Sequence, residues 1–247
     1  MTVMLPEDWI VPDWPVPRRV RALITTRNGG RSTGAYASMN LGLRVGDDPM
    51  RVHANRRLLR QHLPAEPKWL DQVHGIGVVQ AENVTDIVQA DASIAVTPGC
   101  VSVVMVADCL PILFAHCNGR SIGAAHAGWR GLAGGVIEST IRALDSPAQD
   151  LLVYLGPAIG PSAFEVGDEV RDTFIAHDRT AQVAFRPHTR GKWFADLFQL
   201  ARQRLAALGV TNVHGGGQCT VSDPARFFSH RRDKVSGRMA ALVWIED

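Results

Sequence analysis

The chain has 247 residues, 46% of them apolar and 20% charged, with a formal charge of +2. That length is ample for a buried core, and the balance is ordinary for a soluble enzyme. Charge so near neutrality gives no support to nucleic acid or a membrane surface as a partner, and no run reaches the roughly 18 apolar residues that a membrane helix needs.

The N-terminal stretch through Pro15 has no basic segment leading into an apolar one, so it does not read as a secretory signal. Arg19 to Thr26 alternates as a strand and runs into the turn-rich Arg27-Asn28-Gly29-Gly30. Asp48 as cap and Pro49 at the first helical position start a helix through Val52, Asn55, Leu58 and Leu59 toward Leu63, interrupted by Pro64 and Pro67. Short strands follow at Val78-Val79 and at Ser93 to Val96. Val101 to Ala107 is a continuous apolar run, as expected of a strand buried on both faces. Ile112 to His116 and Ser121 to Ala125 flank Asn118-Gly119, a hairpin signal. Gly134 to Leu144 has helical periodicity, with Val136, Ile137, Thr140, Ile141 and Leu144 on one face. A buried strand at Leu151 to Leu155 and a helix at Glu165 to Ile175 come next. Asp196 caps a helix from Leu197 to Leu208 that Gly209 ends, and strands recur at Thr211 to His214 and Ala240 to Ile245. No repeat or linker marks a domain boundary. The reading is α/β or α+β with mixed sheets, because a hairpin excludes a purely parallel one.

The four cysteines, Cys100, Cys109, Cys117 and Cys219, form no CxxC pair and read as reduced thiols of the cytosol. Any of them is then available as a ligand or nucleophile. A two-residue Asn118-Gly119 loop pairs Cys117 with Arg120 and, counting outward, Pro111 with His126. Cys109 and His126 should therefore emerge at one rim of the sheet, within about 7 Å at a rise of roughly 3.3 Å per residue. A lone cysteine or histidine is more often plain core. Their joint placement at strand ends puts a shared metal ion or proton alongside that bland reading.

Small residues surround His126 in Ala124-Ala125-His126-Ala127-Gly128, leaving room for a ligand. The glycine-rich Gly128 to Gly135 leads toward a helix start with Arg130 nearby, a plausible phosphate cradle although the spacing matches no phosphate-loop pattern. A tight turn packing Trp129 is an equal reading of the glycines. A third ligand must come from elsewhere. His74 lies in a polar loop before a strand, and His214 beside Gly215-Gly216-Gly217 is the live alternative. His53 and His62 fall on the outer helix, His116 faces the hairpin, and His177 and His188 fall in charged surface stretches. His230 belongs to a surface loop with Arg231 and Arg232, anchored by Phe227 and Phe228.

Ala107-Asp108-Cys109-Leu110-Pro111, Ala124 to Gly131 and Gln72-Val73-His74-Gly75 together resemble the YfiH-like family, whose members are also called laccase-domain proteins, polyphenol oxidases or purine nucleoside phosphorylases. The likeness extends to Thr25-Thr26-Arg27, Ser38 to Gly42, Val45 to Asp48, Leu155 to Gly160, Glu165 to Gly167, Cys219-Thr220 and Phe227 to Asp233, nearly the whole chain in order. Three departures are visible, all read as lying in loops away from the ligands: Arg31 for a small apolar residue, His230 for tyrosine and Lys234 for glycine.

The resemblance implies a single α/β domain over residues 1–247, a layered α-β-β-α sandwich of the YfiH-like/CNF-like type. It implies a zinc site made by His74, Cys109 and His126, with copper as the other candidate ion, and these three as the catalytic residues. The implied activity is phosphorolysis of adenosine, inosine and methylthioadenosine with inorganic phosphate as co-substrate, plus deamination of adenosine. An open fourth position on zinc suits activation of water for attack on adenine. Arg27 and Arg130 are the candidates for phosphate, Asn40 for a purine edge or ribose hydroxyl. Asp108 is a general base or, on the preferred reading, the residue that fixes the turn beside Cys109. The expected setting is cytoplasmic, with a small-molecule nucleoside as the only partner and the chain a monomer or homodimer.

Two other chemistries compete. Copper oxidation of phenols is disfavoured, because multicopper centres use closely spaced histidine pairs and the nine histidines here include no His-x-His. A cysteine hydrolase acting on an amide such as a cell-wall precursor would use Cys109 as nucleophile and His126 as base. A non-enzymatic binding module would not need such a glycine-lined rim.

Overall fold

The computed structural model describes residues 4–247; Met1, Thr2 and Val3, at the head of the N-terminal stretch, lie outside it. The elements begin with β1 (Val20–Ile24), α1 (Pro49–Arg60), β2 (Leu70–Asp71), β3 (Val78–Gln80), β4 (Val88–Gln89) and β5 (Ala92–Ala95). The middle of the chain gives β6 (Ser102–Val106), β7 (Leu110–His116), β8 (Ile122–Ala127), α2 (Trp129–Gly134), α3 (Val136–Leu144) and β9 (Leu151–Leu155). Then come β10 (Glu165–Gly167), α4 (Asp168–His177), β11 (Phe185–Pro187), β12 (Lys192–Ala195), α5 (Leu197–Ala207), β13 (Asn212–Gly215), α6 (His230–Asp233) and β14 (Met239–Ile245).

The six-stranded sheet runs β13-β9-β7-β8-β5-β3 and the three-stranded one β1-β14-β6. The larger sheet is mixed: β7 is antiparallel to both β8 and β9, whereas β13 pairs parallel with β9 and β3 with β5. Residues of β7 alternate between two cores, because successive side chains of a strand point to opposite faces. Leu113 and Ala115 meet Val104, Ala241 and Val243 of the three-stranded sheet, so the sheets pack face to face. Leu110, Ile112 and Phe114 meet Leu132, Val136, Ile137, Leu200 and Leu205 of the helices. On the far side of the three-stranded sheet, Leu23, Val103 and Leu242 pack with Leu59 and Trp69. The order α1, sheet, sheet, helices is the α-β-β-α sandwich. Among the described residues no helix is long and apolar enough to cross a membrane.

The local signals act as their chemistry requires. The Asp48 side chain accepts from the Met50 amide ahead of α1, and Asp196 accepts from the Gln199 amide ahead of α5. Pro111 stands opposite His126 in the β7–β8 ladder, the register counted from the Asn118-Gly119 turn. Two expected helices differ. The glycine-rich approach to Gly134–Leu144 is itself helical, as α2, and Gly135 at φ +103° separates it from α3. Glu165 to Gly167 is a strand, with the helix starting only at Asp168, because its backbone pairs with Lys192 to Phe194.

Candidate metal and substrate site

Cys109 sits where the chain crosses from one sheet to the other, at the corner between β6 and β7. Asp108 makes the corner with φ +89°, and its carboxylate is committed on both oxygens. Oδ1 accepts from the Thr220 hydroxyl at 2.6 Å, and Oδ2 accepts from the Arg231 amide at 2.6 Å. Both oxygens of Asp108 thus brace the turn before Cys109 against Thr220 and Arg231.

His126 comes from the end of β8, and its Nδ1 lies 2.8 Å from Asp91 Oδ1. Asp91 is fully buried just before β5, where the β5–β8 ladder places it opposite His126. The same carboxylate accepts the amides of Val73, His74 and Gly75 at 3.2, 2.9 and 2.6 Å. One buried group therefore orients His126 and holds the loop that presents His74, itself at φ +60°. The His74 and His126 rings meet edge to face with centroids 4.8 Å apart.

The three ligand atoms of His74, Cys109 and His126 lie within 4.8 Å of one another. Tetrahedral bonds of about 2.0 Å to nitrogen and 2.3 Å to sulfur need donor separations of roughly 3.3–3.5 Å, within reach of small side-chain rotations. Gly128 makes room for this convergence: a Cβ there would stand 2.9 Å from His74 Cδ2 and 3.0 Å from Cys109 Sγ. Burial by itself would push the Cys109 thiol up, but the charge and hydrogen bond of His126, with help from His74, bring it down to about 6. Burial likewise disfavours a charged His126, and the field of Cys109 with the hydrogen bond of Asp91 overrides that, raising it to about 9. Asp91 is held below its ordinary value: burial raises it, and the bonds from His126, Gly75 and Val73 outweigh burial. The Cys109 sulfur, the His126 imidazole anchored on Asp91 and the His74 imidazole are a donor set that would suit zinc.

The cluster opens into a cavity of about 620 Å³, whose apolar walls include Met105, Trp129, Ile159, Phe164 and Leu197. Its charged lining includes Arg44, Arg56, Arg231, Lys234 and Arg238, with Asp71 and Asp108 as the carboxylates. His230 and Lys234 also line it, so these departures from the family pattern face the site from α6 and its end, not from remote loops. Lys234 has φ +60°, a conformation that glycine adopts without strain.

Three expected substrate residues are placed elsewhere. Asn40 is fully buried, its Oδ1 accepting from the Gly42 and Arg238 amides at 2.9 Å each and its Nδ2 donating to Asp47 at 3.0 Å, so its polar atoms organise a loop. Arg27 donates to the carbonyls of Ala37 and Pro224 at 3.0 Å each and lies over Phe228, away from the cavity lining. Arg130 is exposed, stacks on Trp129 at 4.5 Å and does not line the cavity either. Gly131 and Gly134 lie inside α2 and Gly128 caps its start, so the glycines serve a short helix rather than an extended loop. His214 lies on the outer strand β13, outside the cavity lining. Arg231 belongs to α6 and is half-buried, donating to the Glu165 carbonyl at 3.0 Å, rather than a free surface charge. Asp91, Arg56 and Arg238 carry no local motif. The signal that finds Asp91 is the β5–β8 pairing once His126 is taken as a ligand, since ligating histidines habitually lean on a carboxylate.

The chain belongs to the YfiH-like, laccase-domain family: the family described as multi-copper polyphenol oxidoreductase laccase matches residues 21–246. Among its relatives, a protein named purine nucleoside phosphorylase from Pseudomonas aeruginosa is 55% identical over 97% of this chain and 99% of its own. Purine nucleoside phosphorylase YfiH from Escherichia coli is 49% identical over 96% and 98%. A crystal structure of a Neisseria meningitidis protein superposes with a TM-score of 0.95 at 47% identity, covering 98% of this chain and all of the other, 100%. YlmD from Geobacillus stearothermophilus gives a TM-score of 0.86 at 32% identity, with 93% of each chain covered. Among the described residues one cluster of three ligands is found, not the several that a multi-copper centre would use.

Proposed function

We propose that the chain is a zinc-dependent purine nucleoside phosphorylase, converting adenosine, inosine and methylthioadenosine with inorganic phosphate into base and sugar 1-phosphate, with deamination of adenosine as a side activity. The observation that carries this reading is the His74–Cys109–His126 cluster opening on a cavity of about 620 Å³, a size suited to one small molecule. The names of relatives sharing 44–55% identity over almost the whole chain support the substrate class. When bound, the ion supplies a Lewis-acid position beside the cavity. The protein's own groups do the rest: Asp91 fixes the ring of His126, Asp108 and Gly128 set the place of Cys109, and the apolar wall from Met105 to Phe164 excludes water from a flat base. The proposed catalytic setting is one continuous domain in the cytoplasm, a monomer or homodimer, with neither nucleic acid nor membrane as partner. The test is to incubate the purified protein with a nucleoside panel, with and without phosphate, and identify products by chromatography. Appearance of free base only when phosphate is present supports the reading; absence of any nucleoside cleavage by metal-loaded protein refutes it.

A second reading has a specific observation behind it. The line Cys109, His126, Asp91 has the order of nucleophile, base and orienting carboxylate, with the thiol already lowered to about 6. A cysteine hydrolase acting on a cell-wall amide would survive chelation and be abolished by thiol alkylation. The phosphorylase would lose activity to the chelator and regain it with added zinc.

A further inference from the structure

Two guanidinium groups reach the cavity without a direct ion pair to a carboxylate. Arg56, from α1, donates through Nε and Nη2 to the Leu41 carbonyl at 3.0 and 2.9 Å and lies over the Trp69 ring at 3.8 Å. Arg238 donates through Nη1 to the carbonyls of Ser236 and Gly237 at 2.9 and 3.0 Å and to the Ser236 hydroxyl at 3.2 Å. Those oxygens are all neutral. The ion pairs among the described residues include neither arginine. The other two arginines of the lining differ: Arg44 is paired with Asp71, and Arg231 is tied to the Glu165 carbonyl. Glu66, whose field reaches Arg56, accepts from the Trp69 indole at 3.0 Å.

Arg56 and Arg238 converge on one ridge. The Leu41 carbonyl takes Arg56, the Leu41 amide donates to the Arg238 carbonyl at 3.0 Å, and a Cβ on Gly42 would stand 2.9 Å from Arg238 Cγ. Burial lowers the pKa of both, the fields of Cys109 and Asp108 work against this at Arg238, and Arg238 lines the same cavity as the ligand cluster. Partly desolvated cations with no carboxylate in direct contact are costly to a fold. Their place on an open cavity suits an anion that comes and goes, and the planar fork of arginine suits a phosphate.

We propose that Arg56 and Arg238, with the exposed Lys234 at the rim, form the subsite that holds the attacking inorganic phosphate. This rests on the phosphorolysis reading above. The step balances with hydrogen phosphate alone: a phosphate oxygen bonds to C1′ of the ribose, the C1′–N9 bond breaks, and N9 keeps the electron pair. N9 then takes the proton that the phosphate brought, leaving free base and ribose 1-phosphate.

The test uses the full chain and the variants Arg238→Gln, Arg56→Gln, Arg238→Lys and Lys234→Gln. Two readouts are needed: phosphate and nucleoside KM in phosphorolysis, and the shift of the melting temperature by inorganic phosphate, which needs no turnover. The expected result is a phosphate KM raised on the order of 10- to 100-fold in Arg238→Gln and Arg56→Gln, as for loss of a charge-assisted bond. The nucleoside KM should stay within about threefold, and phosphate should no longer shift the melting temperature. Arg238→Lys should recover part of the loss. Arg56→Gln can fail to fold, since Arg56 braces Leu41 and Trp69; Arg238→Gln and the exposed Lys234→Gln then decide. Wild-type phosphate KM in both overturns the subsite and leaves the phosphorylase reading intact. If the wild-type chain cleaves no nucleoside yet phosphate stabilises it through Arg238, the subsite stands and the phosphorylase reading falls. Protection by a nucleoside 5′-monophosphate through these arginines, without protection by free phosphate, overturns the assignment to inorganic phosphate.

Discussion

Asp91→Asn is the substitution that separates a metal-holding cluster from a chance convergence. The Asp91 carboxylate accepts four bonds: His126 Nδ1 and the His74 amide on Oδ1, the Val73 and Gly75 amides on Oδ2. Asparagine keeps one oxygen, so two of these buried donors meet an amide NH₂ instead. An unsatisfied buried donor costs about 1–3 kcal/mol, and some relaxation brings the expected total to about 2–4 kcal/mol. For a chain of 247 residues that lowers the melting temperature by roughly 5–15 °C. Loss of the negative charge also removes the partner that orients His126, for which metal affinity drops by about 10- to 100-fold. Zinc affinity is measured by competition with a chromophoric chelator, and unfolding by differential scanning fluorimetry with and without zinc. Both the melting temperature without metal and the gap between the two forms should shrink. Wild-type zinc affinity in a folded Asp91→Asn protein would refute the view that this carboxylate assembles the site.

Three further outcomes follow from the same geometry. Gly128→Ala should abolish stoichiometric zinc binding, measured by elemental analysis, at a stability cost of about 1–3 kcal/mol, because its Cβ would stand 2.9 Å from His74 Cδ2 and 3.0 Å from Cys109 Sγ. With Cys109 at about 6 and His126 at about 9, the metal-free chain at pH 7 carries a thiolate and an imidazolium. Zinc must displace the imidazolium proton, so calorimetry in buffers of different ionisation enthalpy should show about one proton released per ion at pH 7 and a second appearing below pH 6; zero release at pH 7 contradicts this pairing. Asn40→Ala should destabilise by about 2–4 kcal/mol, since the Gly42 and Arg238 amides lose their acceptor. The nucleoside KM of its folded fraction should not move, whereas a direct contact with the base or ribose would raise it.

What could be read from the chain before its fold was known divides along a physical line. Asn118-Gly119 sets a short-range register, and counting outward places Pro111 opposite His126 as found. The caps at Asp48 and Asp196 were equally legible, because each acts on an amide two or three residues away. Features made by distant pairing were not. Glu165 to Gly167 resembles a helix start, yet becomes a strand because the partner strand near Trp193 offers it a ladder. Asp91 looks like any loop carboxylate until β5 lies beside β8. Gly128 to Gly135 has the composition of an anion loop, yet most of it winds into α2, with the Leu132 amide bonded to the Gly128 carbonyl and the Gly135 amide to the Gly131 carbonyl.

The same division explains the substrate residues. A cation named from sequence can be placed near a motif, as Arg27 and Arg130 were, but its destination depends on which neutral carbonyls and rings compete for it. Arg27 is drawn to Ala37, Pro224 and Phe228, and Arg130 to Trp129. Arg56 and Arg238 are 182 positions apart in the chain and share one wall only because Leu41 bridges them. The ligand cluster could be approached from motifs because each ligand is pinned by tight backbone geometry: positive φ at His74, the Asp108 corner before Cys109, and the strand end at His126. Long cationic side chains have no such constraint. Their function is settled by charge balance across the cavity, which becomes visible only once the ion pairs of the folded chain are known.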